Sequence, residues 1–147
     1  MSLRTLAGGC HCGNIGVSAA VTYAPETFRP RACDCEFCRK HGAAWMADPR
    51  GSLLIRIADE SAAGRYAQGD AIAEMLLCRR CGVLVAALYA GETLHGVVNV
   101  SALEARAEFA APEPVSPRQL SPQAKMSRWQ SLWFPNVAVT AGEPPRV

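Results

Sequence analysis

No stretch of this chain approaches the ~20 consecutive apolar residues that a membrane-spanning helix needs. Charge is also scarce. Only 19% of the 147 residues are charged, against 50% hydrophobic, and the formal net charge is +2. There is no run of Lys and Arg interleaved with aromatics, so nothing points to nucleic acid. If the thiols bind metal as thiolates the net charge turns slightly negative, which argues further against a polyanionic partner. Met1 to Gly9 carries one charge, Arg4, and no apolar stretch of the kind that heads a secretory signal. Internal repeats are missing, and so is any long helical period before residue 100. What remains is the composition of one globular, soluble domain with its own core, expected in the reducing cytoplasm and without a membrane partner.

The pattern along the chain is of short strands. Ile15, Val17, Ala19 and Val21 alternate with smaller or polar residues within Asn14 to Val21, and a period of two marks a half-buried strand. Leu53, Ile55 and Ile57 repeat it. Short strands are expected at Ala43 to Ala47, and at Gly64 to Ala67 and Ile72 to Leu77 around the Gln68-Gly69-Asp70 turn. Val83 to Tyr89 and Thr93 to Val100 complete the set. Many short strands at close spacing argue for an all-β, mostly antiparallel fold. Tyr23 to Arg31, with Pro25 and Pro30, reads as a loop. Leu103 to Phe109 has room for one or two helical turns. Pro112, Pro114, Pro117 and Pro122 predict an extended path from Ala111 to Pro122. Trp129, Leu132, Trp133 and Phe134 form an aromatic cluster that either docks the C-terminal segment on the sheet or walls a ligand pocket.

No cysteine stands alone. All seven fall in three clusters: Cys10 with Cys12, Cys33 with Cys35 and Cys38, and Cys78 with Cys81. Residues i and i+2 on an extended segment point to one side, so Cys10 and Cys12 can grip one ion. Cys78-Arg79-Arg80-Cys81-Gly82 has zinc-knuckle spacing, and Gly82 suits the tight backbone after it. Together these four make a complete four-thiolate site. Cys33, Cys35 and Cys38 lack a fourth cysteine, and three protein ligands with one place free is the pattern of a catalytic zinc. The alternative is a second structural site completed by His41, Asp34 or Glu36. The odd cysteine count and the strain of a Cys-x-Cys bridge argue against a disulfide framework. Without a βαβ pattern, Cys78 and Cys81 do not read as a redox dithiol, and without a fourth thiolate the triad does not read as an iron–sulfur ligand set. His11, between two ligands, should point away from the metal, and His95 has no evident partner.

Gly9-Cys10-His11-Cys12-Gly13, then Cys33-Asp34-Cys35-Glu36-Phe37-Cys38-Arg39-Lys40-His41-Gly42-Ala43, then Cys78-Arg79-Arg80-Cys81-Gly82 resemble, in the same order, the glutathione-dependent formaldehyde-activating enzyme family, which includes the centromere protein V-like proteins. The resemblance runs from about Gly8 to Leu103. It implies a zinc-bound β-tent fold, with Cys10, Cys12, Cys78 and Cys81 on a structural zinc and Cys33, Cys35 and Cys38 on a labile second one. It also implies that glutathione and formaldehyde are joined as S-hydroxymethylglutathione, a carbon–sulfur lyase reaction in reverse. Arg39, Lys40 or Arg79 would then pair with glutathione carboxylates. Residue 41 departs from the family, being His where a small polar residue is common.

The sequence therefore predicts one zinc-binding domain over residues 1–147, with its motifs in 8–103 and an extended C-terminal segment over 104–147. The expected activity is that of a zinc-dependent carbon–sulfur lyase on a glutathione, or other thiol, adduct of a small aldehyde, with Cys33, Cys35 and Cys38 catalytic. The rivals are a non-enzymatic zinc- and glutathione-binding module, and an interaction domain using the C-terminal aromatics.

Overall fold

The computed structural model describes residues 3–142 and consists mainly of two sheets. The first runs in the order β1 (Arg4–Gly9), β2 (Ile15–Val21), β5 (Ser52–Ile57), β11 (Ala138–Ala141). The second has seven strands, in the order β10 (Glu113–Val115), β3 (Arg31–Cys33), β4 (Trp45–Met46), β9 (Leu94–Asn99), β8 (Leu84–Ala90), β7 (Ala73–Cys78), β6 (Ala63–Ala67). Pairing is antiparallel except for β10 on β3 and β11 on β5, which are parallel. The expected all-β, mostly antiparallel class holds.

The period-two pattern sets the burial. Ile15, Val17, Ala19 and Val21 are buried on β2, while the residues between them are half exposed. Leu53, Ile55 and Ile57 do the same on β5. They join Leu76, Val85 and Val98 of the other sheet in one apolar core. Each such side chain withdrawn from water contributes roughly 1.5–3 kcal/mol.

Several elements depart from the sequence reading. β1 is a strand the sequence reading did not include, paired with β2 from Arg4↔Val21 to Gly9↔Gly16. Only Leu6 of its residues is buried, so it shows no alternation. Gly8 is required there, because a Cβ would run into the Ala102 carbonyl oxygen where Gly8 bridges Leu103. α1 (Glu36–His41), also absent from the sequence reading, starts inside the Cys33 to Cys38 stretch and ends at Gly42, whose φ of 61° is left-handed.

The largest departure is α2 (Pro122–Leu132). Pro122 is read from sequence as part of an extended run, but it sits in the first turn of a helix, where its missing N–H costs nothing. Ser121 caps that helix by accepting from the Ala124 N–H at 3.1 Å. The chain after α2 then zips onto β9: Phe134 N–H donates to Gly96 O at 3.0 Å, and Gly96 N–H to Phe134 O at 3.1 Å. Phe134 is fully buried. α2 is thereby fixed beside the centre of the seven-stranded sheet. No helix among the described residues is long and apolar enough to cross a membrane.

Candidate functional site

Two groups of thiols assemble as the spacing predicts. The β1–β2 turn carries Cys10 and Cys12, and the β7–β8 turn carries Cys78 and Cys81. Their four sulfurs lie within 4.8 Å of one another. Cys10 Sγ is 3.8 Å from Cys12 Sγ, and Cys12 Sγ is 3.5 Å from Cys78 Sγ. Sulfurs held at about 2.3 Å around a tetrahedral ion stand about 3.8 Å apart, so these separations fit such an ion. The site joins turns 66 residues apart. Gly82, with φ 80°, takes the left-handed turn that closes it.

Backbone amides support two of the four thiols. The Ile15 N–H donates to Cys10 Sγ at 3.2 Å. Burial still pushes the Cys10 thiol up to about 11. Burial works upward on Cys81 too, but the backbone N–H groups of Val83 and Cys12 outweigh it and hold that thiol at about 6.

The second group is built at the end of β3 and the start of α1. Cys33, Cys35 and Cys38 also bring their sulfurs within 4.8 Å of each other and can hold a metal ion. Cys35 is the N-cap of α1, accepting the Cys38 N–H at 3.4 Å. The Gln68 amide reaches Cys35 Sγ at 3.8 Å. Hydrogen bonding from Cys38 brings the Cys33 thiol down to about 6 against the opposing effect of burial. The Cys38 thiol is driven up, by that same contact with Cys33 and by burial, while a hydrogen bond with the Trp45 side chain works the other way.

None of the three alternative fourth ligands joins the triad. His41 is exposed, with its ring 4.6 Å from that of Phe37. Asp34 is engaged elsewhere, by the Ser116 hydroxyl at 2.6 Å and Arg118 Nε at 3.0 Å. Glu36 is exposed. His11 is exposed too, as expected.

All three triad cysteines line a cleft of about 960 Å³, open solvent at its mouth included. Its walls come from the strand side (Trp45, Met75, Ala87, Val97), the Gln68-Gly69-Asp70 turn, and α2 (Lys125, Arg128, Trp129, Leu132). Trp129 and Trp133 stack at 4.7 Å, and both face the cleft. Trp133 is buried and Trp129 half-buried, so the C-terminal aromatics dock the segment and wall the pocket at once. They form no exposed patch for a protein partner.

The cleft's charges are not the ones singled out from sequence. Arg39, Lys40 and Arg79 are exposed and do not line it. Arg31, Arg118, Lys125 and Arg128 do. Lys125 Nζ pairs with Asp70 at 2.6 Å and Arg118 with Asp34. Arg31 and Arg128 make no ion pair among the described residues. Burial, then the nearby charge of Arg128, lowers the pKa of Arg31. Two half-buried guanidinium groups repelling each other are a ready seat for an anion. Sequence reasoning missed them because they lie 97 positions apart. The parallel pairing of β10 on β3, with Val115 opposite Cys33, brings the chain that leads into α2 to the triad.

Comparison with known proteins agrees with this geometry. A solved Rhodobacter sphaeroides protein, a structural-genomics target, is similar in fold, with a TM-score of 0.58 and 26% identity. The match covers 74% of this chain and 99% of that one. Among curated proteins no match is found. The family model described as glutathione-dependent formaldehyde-activating enzyme matches residues 5–125, which takes in both thiol groups, β10 and the start of α2. The chain belongs to the glutathione-dependent formaldehyde-activating enzyme family.

Proposed function

We propose that the chain is a zinc-dependent carbon–sulfur lyase that joins and separates glutathione and formaldehyde or another small aldehyde. The observation that carries this reading is the position of Cys33, Cys35 and Cys38 in the wall of a cleft that also holds two unpaired guanidinium groups. In this reading Cys10, Cys12, Cys78 and Cys81 hold a structural zinc, since four thiolates complete its coordination. The triad holds a second, exchangeable zinc. Bound there, zinc supplies a Lewis acid and favours the thiolate form of an incoming thiol.

The chain's own residues bind, orient and exclude water. Arg31 and Arg128 take carboxylates of glutathione, whose two carboxylates and one ammonium give it a net negative charge. The Gln68 amide and the Cys38 backbone N–H both donate to Cys35 Sγ and hold that sulfur in place at the cleft wall. Trp129 and Trp133 keep water from one side of the reacting carbon. In the synthetic direction the glutathione S–H bond breaks, a C–S bond forms, and the proton ends on the former carbonyl oxygen. The lyase direction reverses each change. No histidine lines the cleft among the described residues, so water at the mouth carries the proton. The thiol donor sets need a reducing compartment, which the cytoplasm supplies.

Exchange spectroscopy tests the reading, because the adduct also forms without protein. Exchange between formaldehyde and S-hydroxymethylglutathione should speed up in proportion to added protein, and Cys33→Ser should lose that effect while keeping its fold. Exchange at the protein-free rate overturns the lyase reading.

A further inference from the structure

The cleft offers far more apolar surface than a one-carbon hydroxymethyl group can use. Met75 stands opposite Ala87, and Ala87 opposite Val97, in the registers of β7, β8 and β9. All three are buried and face the cleft. The small Ala87 between two larger neighbours makes a trough across the sheet. Trp45 continues that wall, in the same lining as the three triad cysteines. Leu132 and the stacked Trp129 and Trp133 close the other side. The charged groups of the lining are Arg31 on β3, Asp70 in the turn, Arg118 ahead of α2, and Lys125 and Arg128 on α2.

We propose that the cleft is built for a thiol conjugate with an anionic end and an apolar substituent on sulfur, the adduct of an apolar aldehyde in preference to formaldehyde. This rests on the glutathione reading above and names its second substrate. With sulfur at Cys33, Cys35 and Cys38 and a carboxylate at Arg31 and Arg128, the carbon attached to sulfur faces Trp45 and the Met75–Ala87–Val97 trough. An alkyl or aryl group there leaves water for an apolar wall, whereas the hydroxymethyl group leaves the trough unfilled. The chemistry balances for any aldehyde RCHO. The thiol sulfur bonds to the carbonyl carbon, the C=O π pair moves to oxygen, and the thiol proton joins that oxygen, with no oxidant or reductant.

All three tryptophans of the chain, Trp45, Trp129 and Trp133, line this cleft, so their fluorescence reports its occupancy. The test titrates the purified protein with glutathione, S-methylglutathione and S-hexylglutathione. Each methylene taken out of water contributes about fourfold, so the hexyl conjugate should bind at least about tenfold tighter than the methyl conjugate. Equal or weaker binding of the hexyl conjugate, with glutathione itself still bound, overturns this proposal and leaves the glutathione reading standing. A fluorescence signal unmoved by all three overturns both. In a parallel arm, hexanal with glutathione should show a larger acceleration over its protein-free rate than formaldehyde does, and the reverse order also overturns the proposal.

Discussion

Ser116 donates its hydroxyl to Asp34 Oδ2 at 2.6 Å across 82 positions of chain, and so ties the segment leading into α2 to the loop that carries the thiol triad. Arg118 adds a second link to the same carboxylate at 3.0 Å, and the Asp34 N–H donates to Val115 O, also at 3.0 Å. The side-chain links position the cleft wall; they do not build the core. Asp34→Ala should therefore weaken glutathione binding about three- to tenfold while the melting temperature stays near that of the wild type. Calorimetric titration and a melting curve check both halves. A large fall in melting temperature with unchanged affinity would mean that the link serves stability instead.

The two thiol groups should respond differently to serine. Cys10→Ser or Cys81→Ser breaks the site that joins the β1–β2 and β7–β8 turns, and structural zinc contributes roughly 10–16 kcal/mol to small domains. Either variant should fail to accumulate as folded protein, because total stability is about 5–15 kcal/mol. Cys35→Ser should fold, since serine can also accept the Cys38 N–H as the N-cap of α1. Far-UV circular dichroism and melting curves decide. Equal destabilisation by all three would contradict the division into a structural and an open site.

The unpaired guanidinium groups should carry affinity for the anionic end of the ligand. Arg128→Gln should weaken glutathione binding about tenfold, the scale of one charge-assisted hydrogen bond. It should leave binding of glutathione diethyl ester, which lacks both carboxylates, nearly unchanged. Equal losses for the acid and the ester would show that Arg128 does not meet a carboxylate.

Asp48 belongs to neither thiol group and does not line the cleft. It is 3% exposed and accepts the Thr22 N–H and hydroxyl at 2.7 Å each and the Arg50 N–H at 2.9 Å. Burial acts to raise its pKa, but these donors outweigh it and hold the carboxyl below its ordinary value. A group with a depressed folded pKa contributes stability above the unfolded pKa, about 3.9, and loses it as pH falls through the folded value. Asp48→Asn should cost about 1–3 kcal/mol at neutral pH. Denaturant melts of both proteins should show that gap narrowing as pH drops through the acidic carboxylate range. A gap that is constant with pH would mean the carboxylate charge plays no part.

Much of this fold was legible wherever burial imposes a period on the chain. β2 and β5 each bury one face, so their alternation is visible in the sequence. β1 and β11 are edge strands with few buried residues, and nothing in their composition marks them. Pro122 marked a boundary, but a proline one residue after a serine opens a helix as readily as it ends one, and the extended reading chose wrongly. The thiol groups were legible because metal ligation demands short local spacing. The cleft was not, because Arg31, Gln68 and Arg128 meet only through the β3–β10 pairing, the β6–β7 turn and the docking of α2. Trp45 stood in an expected strand, but its contact with Cys38 depends on how that strand faces α1.

Cys33, Cys35 and Cys38 should form an open metal site that a thiol ligand completes. Zinc per chain, measured by elemental analysis after mild chelation with and without millimolar glutathione, tests it most directly. Two zinc ions should be present before chelation, one lost to the chelator alone, and both kept when glutathione is present. Zinc retention that glutathione does not change would contradict it.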